Sequence, residues 1–193
     1  MNGFQLRREQ KKLAILEAAL SLFFEHGVKK ISIAEIASKA KVSQVTIYNY
    51  FESKHNLAHE VFIYYFKKVS NEFDEILNSD IAFPEKIKAV IFTKNAAARE
   101  INEDFYEYIM NEFTTDKSNA EQLYEKQALP RLIQLFNEGK AQGYVDPNLS
   151  NEAILFYMKA VNEFIKREDV YHQILPLTED IMYILFYGIV GKK

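Results

Sequence analysis

The residues best suited to a specific chemistry lie between positions 44 and 54. Gln44 and Asn49 each carry an amide that offers the paired donor and acceptor presented by adenine in the major groove. Thr46 adds a short hydroxyl, Tyr48 a neutral donor on a stiff arm, and Lys54 a positive charge. Side chains of these types, so closely spaced, suit contacts with the base edges and phosphates of double-stranded DNA.

Two short helices are predicted to position these side chains. Ser32 and Glu35 form a capping box that starts the first helix, and Ser43 is an N-cap for the second. Residues 41–43 interrupt the helical pattern. Seven apolar residues of the two helices and the turn between them are predicted to face the core: Ile33, Ile36, Ala37, Ala40, Val42, Ile47 and Phe51. The pattern predicts a helix-turn-helix whose second helix exposes its polar side chains.

The run from Ile36 to Leu57 resembles the DNA-binding signature of the TetR family of bacterial transcriptional regulators. It is written IASKAKVSQVTIYNYFESKHNL. The similarity extends upstream through a first helix from Lys11 to His26, which ends at Gly27, and covers about a quarter of the chain. The resemblance implies phosphate contacts from Ser32, Ser43, Tyr48 and Lys54, and base contacts from Gln44, Thr46 and Asn49. Val45 and Tyr50 complete the expected DNA-binding set.

Two positions depart from the family pattern. Lys41 stands where many members have glycine, because the turn often needs a positive φ. A lysine in that conformation costs roughly 1 kcal/mol of strain and adds positive charge near the DNA-binding face. Val45 also stands where glycine is common, and it can contact a thymine methyl group.

Composition and charge fit two functional parts. The chain has 193 residues, of which 48% are hydrophobic, and it has no cysteine, which excludes disulfides and cysteine-ligated zinc. Residues 1–54 hold nine Lys/Arg and five Asp/Glu, a net charge of +4, whereas residues 55–193 have a net charge of −7. This charge division favours a DNA-binding domain at 1–54, and the TetR resemblance implies a ligand-binding and dimerisation domain at 55–193. No membrane span or signal peptide is predicted, so a cytoplasmic location is expected.

The remaining sequence predicts helices and no strand, so the expected fold class is all-α. One long helix should run from His55 to about Leu77 and break at residues 78–80. Pro84 suits the first turn of the next helix, which should reach about Arg99. Further helices are expected at 104–113, from Ser118 to Gly139 or Gly143 with a kink at Pro130, at 150–167 and at 178–190, with a loop at 144–148.

An excess of aromatic residues in the second part has two interpretations. Each one taken singly is an ordinary core residue, but the TetR resemblance implies a cavity that would take a small hydrophobic or aromatic effector. Nearby carboxylates, including Glu103, Asp104, Glu107 and Glu112, favour a neutral or cationic ligand. The residues proposed to line the cavity are Phe62, Tyr65, Phe66, Phe92, Phe105, Tyr106, Ile109, Met110, Phe113 and Phe136.

The last two helices are apolar over more than one stripe, which is typical of a helix packed against two neighbours. With the family resemblance, they predict a four-helix interface in a homodimer, and the alternative is a core within one chain. The residues assigned to this interface are Ile154, Tyr157, Met158, Val161, Ile181, Ile184 and Leu185.

Catalysis finds no support in the sequence. There is no glycine-rich phosphate loop, nucleophile elbow or metalloprotease motif, and no cofactor is predicted. His55 and His59 are spaced to share a helix face, but no obvious third metal ligand accompanies them. The function predicted is a ligand-released repressor that binds a palindromic operator as a homodimer. The alternative is a helical adapter that uses its first domain to bind protein, although such a docking helix usually exposes apolar anchors.

Overall fold

The computed structural model describes residues 3–90, 101–115, 129–165, 170, 173 and 175–188. The described residues are largely helical and form no strand, in agreement with the all-α prediction. The helices are α1 (Gly3–His26), α2 (Ile33–Ala40), α3 (Gln44–Phe51), α4 (Lys54–Asn78), α5 (83–90), α6 (Glu103–Thr115), α7 (Leu129–Ala141), α8 (Asn151–Ile165) and α9 (Thr178–Tyr187), with a 3-10 turn at Leu175–Leu177.

Most of the predicted helix boundaries agree with these bounds. The exception is α1, which begins at Gly3 and not at Lys11. Its first turns carry no apolar stripe, but the Gln, Leu, Arg, Glu and Lys residues between positions 5 and 12 are good helix formers. The predicted continuation of α5 to Arg99, the Ser118 cap and the ends of the last two helices lie outside the described residues. Pro130 is the second residue of α7, and the turn before it, in which a kink would lie, is outside the described residues.

The chain divides into two compact units. The first comprises the described parts of Met1–Val69 and Glu100–Thr115, and the second those of Ser70–Arg99 and Asp116–Lys193. The first unit therefore extends beyond the predicted functional boundary at Lys54, because the start of α4 and all of α6 pack with the three N-terminal helices. The division of function at that residue stays a prediction.

The core of the first unit is built from α1 to α4 and α6. Phe23, Ile36, Ile47, Leu57 and Phe105 are each at most 1% exposed and belong to one apolar cluster. Ala37 is also buried there, and Val42 packs against the cluster from the turn, as the sequence predicted. This packing fixes the orientation of α3 and leaves its opposite face in solvent.

The second unit has its own core, formed by residues of α4, α5, α7, α8 and the loop after α7. Its buried members are Leu77, Phe83, Ile87, Val90, Leu135, Phe136, Val145 and Ile154. Lys86 is 4% exposed, and its ammonium donates to the Leu77 carbonyl (2.7 Å) and the Glu138 carboxylate (2.8 Å). The buried ammonium is thus paired with a carboxylate, and it also satisfies the Leu77 carbonyl in the last turn of α4. Arg131 likewise pairs with Asp74.

Candidate nucleic-acid interface

The first helix of the motif starts with a complete capping box. The Ser32 hydroxyl accepts from the Glu35 N–H (3.2 Å), and the Glu35 carboxylate accepts from the Ser32 N–H (2.7 Å). Hydrogen bonds from the hydroxyl and the backbone of Ser32 lower the pKa of Glu35. The cap keeps Glu35 ionised and fixes where α2 begins.

The turn between α2 and α3 has the predicted conformation. Lys41 has φ 54° and ψ 44°, in the left-handed region, and it closes α2. The Val42 N–H then donates to the Ala37 carbonyl at 3.0 Å. This conformation is sterically unfavourable for lysine, which has a Cβ atom, and not for glycine. The exposed Lys41 side chain adds positive charge at the turn.

Helix α3 begins at Ser43 and presents the predicted polar face. The Ser43 hydroxyl accepts from the Thr46 N–H (3.1 Å) and also bonds the Thr46 hydroxyl (2.9 Å), so the Thr46 side chain is partly engaged at the cap. Ile47 and Phe51 are buried. Gln44, Val45, Tyr48 and Asn49 are exposed, Val45 at 66% and Tyr48 at 48%. The two exposed amides thus lie on one short helix, free to contact base edges.

Helix α3 ends in a second strained residue that the sequence did not indicate. Glu52 has φ 65°, and its N–H donates to the Tyr48 carbonyl at 2.8 Å. Ser53 follows as a cap for α4, because its hydroxyl accepts from the Asn56 N–H at 3.0 Å. This sharp exit places Lys54 in the first turn of α4, immediately beyond α3.

Lys54 has a hydrogen-bonding partner that its sequence position did not indicate. It is half-buried, and its ammonium donates to the backbone carbonyl of Lys29 at 3.3 Å. Tyr50 is also held, since its hydroxyl donates to the Arg8 carbonyl at 3.2 Å and the Arg8 guanidinium lies 5.8 Å from its ring centroid. Arg8 and Lys29 were not among the predicted site residues, because both contacts join segments far apart in sequence.

The Lys29 segment is in turn fixed by the start of α6. Its N–H donates to Asp104 Oδ2 (2.9 Å), and its ammonium pairs with Asp104 (3.1 Å) and Glu107 (3.3 Å). Burial raises the pKa of the Asp104 carboxyl, but the hydrogen bonds and charge of Lys29 outweigh it and hold that pKa below its ordinary value. The pKa of Lys29 is raised by the same carboxylates.

Gly27 permits this close approach of α6. It has φ 84°, and a Cβ added there would lie 2.7 Å from both Asn102 Oδ1 and Asp104 Oδ2. The Asn102 N–H donates to the Phe24 carbonyl at 2.8 Å, next to the end of α1. A continuous set of contacts therefore runs from α6 through the Lys29 segment to Lys54.

The residues predicted to line a ligand cavity do not form one group in the described structure. Phe62, Phe105 and Ile109 are buried in the core of the first unit, where Tyr65 and Met110 pack against them, and Phe136 is buried in the core of the second. Phe66 and Tyr106 are half-buried. Phe92 and the side chain of Phe113 lie outside the described residues. Assignment of the ten to one pocket stays a prediction.

Phe105 illustrates how these aromatic residues pack. Its ring centroid lies 5.9 Å from that of Phe23, 5.3 Å from Phe24 and 6.2 Å from Tyr65, and the residue has no exposed surface. These are the contacts of a core side chain. A shallow depression of about 390 Å³ elsewhere is lined by Glu72, Glu75, Ile76, Ser79 and Ile81, none of which was predicted.

The carboxylates near these aromatics have partners within the first unit. Asp104 and Glu107 pair with Lys29, and Glu112 Oε2 lies 2.7 Å from His59 Nδ1. Because these three carboxylates are already paired, they give little support to the predicted preference for a neutral or cationic ligand. In the described part of the chain, no cluster of three potential metal ligands includes His55 or His59.

The final helices divide their apolar residues between the core and solvent. Ile154 is 3% exposed and so has little surface left for a second copy, whereas Met158 and Val161 are half-buried and pack against the second core. Tyr157 and Ile184 are exposed as predicted, and Ile181 is half-buried. The Leu185 side chain is outside the described residues. Exposed apolar residues that the prediction omitted are Phe156, Phe164 and Tyr183.

Comparison with known proteins finds relatives of the N-terminal part of the chain. A family model described as bacterial regulatory proteins, tetR family, matches residues 15–61. The HTH-type transcriptional regulator YhgD of Bacillus subtilis (strain 168) is 33% identical over 84 residues, which are 44% of each chain. The HTH-type transcriptional regulator LuxR of Vibrio harveyi is 30% identical over 95 residues, 49% of this chain and 45% of that one. The chain thus spans less than half the length of these curated relatives.

A likeness over nearly the whole fold is found in a solved structure. The regulatory protein TetR from Rhodobacter sphaeroides superposes with a TM-score of 0.65 at 17% identity, covering 93% of this chain and 98% of that one. The relatives matched in sequence are described as HTH-type transcriptional regulators. No helix in the described part of the chain is long and apolar enough to cross a membrane. With the capped motif and its exposed amide face, these matches show that residues 15–61 resemble the DNA-binding domain of the tetR family of bacterial regulatory proteins.

Proposed function

We propose that this protein is a homodimeric repressor that binds an imperfectly palindromic operator and is released by a small hydrophobic or aromatic ligand. The observation that carries the DNA-binding part is the exposed face of α3. Gln44 and Asn49 lie on this face, and Ile47 and Phe51 anchor the helix in the core. A rigid helix with two free amides suits the major groove. A cytoplasmic location follows from that target.

Phosphate contacts are proposed for Tyr48, Lys54 and the two caps. Lys54 is already oriented by the Lys29 carbonyl, so less side-chain entropy is lost when it meets a phosphate. The net charge of +4 over residues 1–54 directs the attraction toward this end of the chain. Val45, 66% exposed, is suited to a thymine methyl contact.

Dimerisation is proposed through α8 and α9. Among the described side chains of these helices, five large apolar ones are exposed, with Phe156 at 76% and Ile184 at 63%. Exposed apolar surface on this scale is typical of an interaction site, and a second copy that presents the same helices would cover it symmetrically. The two helix-turn-helix motifs of such a dimer would then meet successive major grooves about one helical turn, ~34 Å, apart.

Ligand release is proposed to act through α6. A ligand changes DNA affinity only by binding one arrangement of the protein more tightly than another. Because Asp104 holds the Lys29 segment and that segment holds Lys54, a shift of α6 would displace a phosphate contact. The sequence of contacts supplies a physical connection between the helix and the DNA-binding face.

The test compares two variants on an operator selected from random duplexes and on an unrelated duplex, by fluorescence anisotropy at several salt concentrations. Lys54→Ala should weaken binding to both duplexes alike and reduce the salt slope by about one unit per lost contact. Gln44→Ala should cost ~1–3 kcal/mol on the operator only.

The opposite pattern would overturn this placement of α3. If Lys54→Ala altered sequence preference while Gln44→Ala weakened all binding equally, α3 would not lie in the groove as proposed. Absence of salt-dependent DNA binding in the unaltered protein would favour the adapter alternative, for which exposed Val45 and Tyr48 would be the anchors.

A further inference from the structure

The first turns of α1 form a basic projection that the helix-turn-helix does not require. Positions 7 to 12 contain four cations, Arg7, Arg8, Lys11 and Lys12. Residues 3–11 are exposed throughout, so these turns contribute little to the core. A helix that extends beyond its core with four positive charges suggests a negatively charged partner.

Two of the cations fix this projection beside α3. The Arg8 guanidinium lies 5.8 Å from the centroid of the Tyr50 ring, and the Tyr50 hydroxyl donates to the Arg8 carbonyl. The Lys12 ammonium lies 5.8 Å from the Phe51 ring centroid and pairs with Glu60 at 2.9 Å. The basic end of α1 is therefore held against the C-terminal end of the helix proposed to enter the groove.

By helical spacing, the other two cations, Arg7 and Lys11, are placed on the side of α1 nearer the helix-turn-helix. Residues seven or fourteen apart lie on nearly the same side of a helix, which places Arg7 in line with Ser21. The Ser21 hydroxyl contacts α2, since it accepts from the Lys39 ammonium at 2.9 Å. Lys11 follows Arg7 by one turn and is exposed like it.

The flank of α1 that faces α4 is different. Lys12 pairs there with Glu60, and Glu17 accepts from the Tyr64 hydroxyl at 3.4 Å. Helical spacing places Arg7 and Lys11 on α1 away from that flank and nearer the side where α2 and α3 lie. Their charges are thus directed to the surface proposed to meet DNA.

We propose that the first turns of α1 form a second DNA-contacting element, in which Arg7 and Lys11 bind backbone phosphates that flank the segment contacted by α3. This inference rests on the proposed DNA-binding function. Contacts of this kind position the protein on the duplex and add affinity without base discrimination. They lengthen the duplex needed for full affinity beyond the base pairs that α3 contacts.

The test uses the whole protein with Arg7→Gln and Lys11→Gln combined. Its matched control carries Lys67→Gln and Lys68→Gln, which remove two exposed lysines from α4. Anisotropy titrations over a salt series are made on the selected operator, on an unrelated duplex and on the operator trimmed of its flanking base pairs. A third variant, Arg7→Lys with Lys11→Arg, keeps both charges.

The glutamine variant should bind both full-length duplexes more weakly, with a salt slope reduced by about one unit per lost contact. The control and the charge-conserving variant should keep the original slope. Trimming the flanks should weaken the unaltered protein and leave the glutamine variant almost unchanged.

Equal slopes for the glutamine variant and its control would overturn the inference while leaving the proposed function intact. The same holds if trimming weakens both proteins equally. If the unaltered protein bound no duplex in a salt-dependent way, both the function and this element would be refuted.

Discussion

Replacing Phe105 with alanine should strongly destabilise the first unit, although the residue was predicted from sequence to line a ligand pocket. The ring has no exposed surface and contacts Phe23, Phe24 and Tyr65. Deleting a fully buried phenyl ring costs ~3–5 kcal/mol, through the lost transfer free energy and the cavity left behind. Domains have only ~5–15 kcal/mol of stability in total, so the loss takes a large part of it.

The assay is thermal and urea unfolding followed by circular dichroism, with DNA binding measured on the same samples. At ~4–8 °C for each kcal/mol in a small domain, we expect Tm of the first unit to fall by more than ~10 °C. DNA affinity should fall in parallel as the folded fraction falls. Phe105→Leu retains most of the volume and should cost less than ~1.5 kcal/mol.

A Tm within ~3 °C of the unaltered protein would refute the assignment of Phe105 to the core. In that case the ring would not support the packing of α6 on α1 and α4, and the predicted role in a ligand pocket would regain its basis.

Three further changes test other parts of the structure. Ser32→Ala removes the cap of α2 and should lower the free energy of unfolding by ~1 kcal/mol in urea titrations; an unchanged midpoint would contradict the capping role. The folded-state pKa of Asp104 is depressed, so its stabilisation is present above its ordinary pKa and lost as pH falls through the folded value. Lys29→Gln should raise the Asp104 pKa in a carboxyl NMR titration, and a constant pKa would show that the pair contributes nothing. Phe156→Glu should yield monomers in sedimentation at micromolar concentration with Tm of the first unit retained, whereas persistent dimers would exclude the exposed α8 face as the interface.

Features fixed by neighbouring residues could be predicted from the sequence. The capping box of Ser32 and Glu35, the cap at Ser43 and the burial of Ile47 and Phe51 each depend on residues within one or two turns. The positive φ of Lys41 was also expected, because the turn geometry of the family requires it.

Features that depend on tertiary packing could not be predicted. Asp104 and Lys29 are separated by 75 positions, and Tyr50 and Arg8 by 42, so no local pattern indicates their contacts. Composition identifies aromatic residues as apolar but does not distinguish a core ring such as Phe105 from one that lines a cavity. The same ambiguity placed Ile154 at a dimer interface, whereas it lies in the second core.

The early start of α1 was missed for a related reason. Hydrophobic periodicity marks only the part of a helix that packs on a core, and the turns before Lys12 pack on little. Their helical structure is indicated by propensity alone, which is a weaker signal.

The central claim is that α3 recognises a DNA sequence and that a symmetric dimer carries two copies of this helix. Selection of bound duplexes from a random pool tests it most directly. Random duplexes retained by the unaltered protein at near-physiological salt would be sequenced after several rounds. We predict an enriched imperfect inverted repeat whose half-sites are about one helical turn apart, centre to centre. Recovery of an asymmetric site, or of no enriched sequence despite retention of DNA, would contradict the claim.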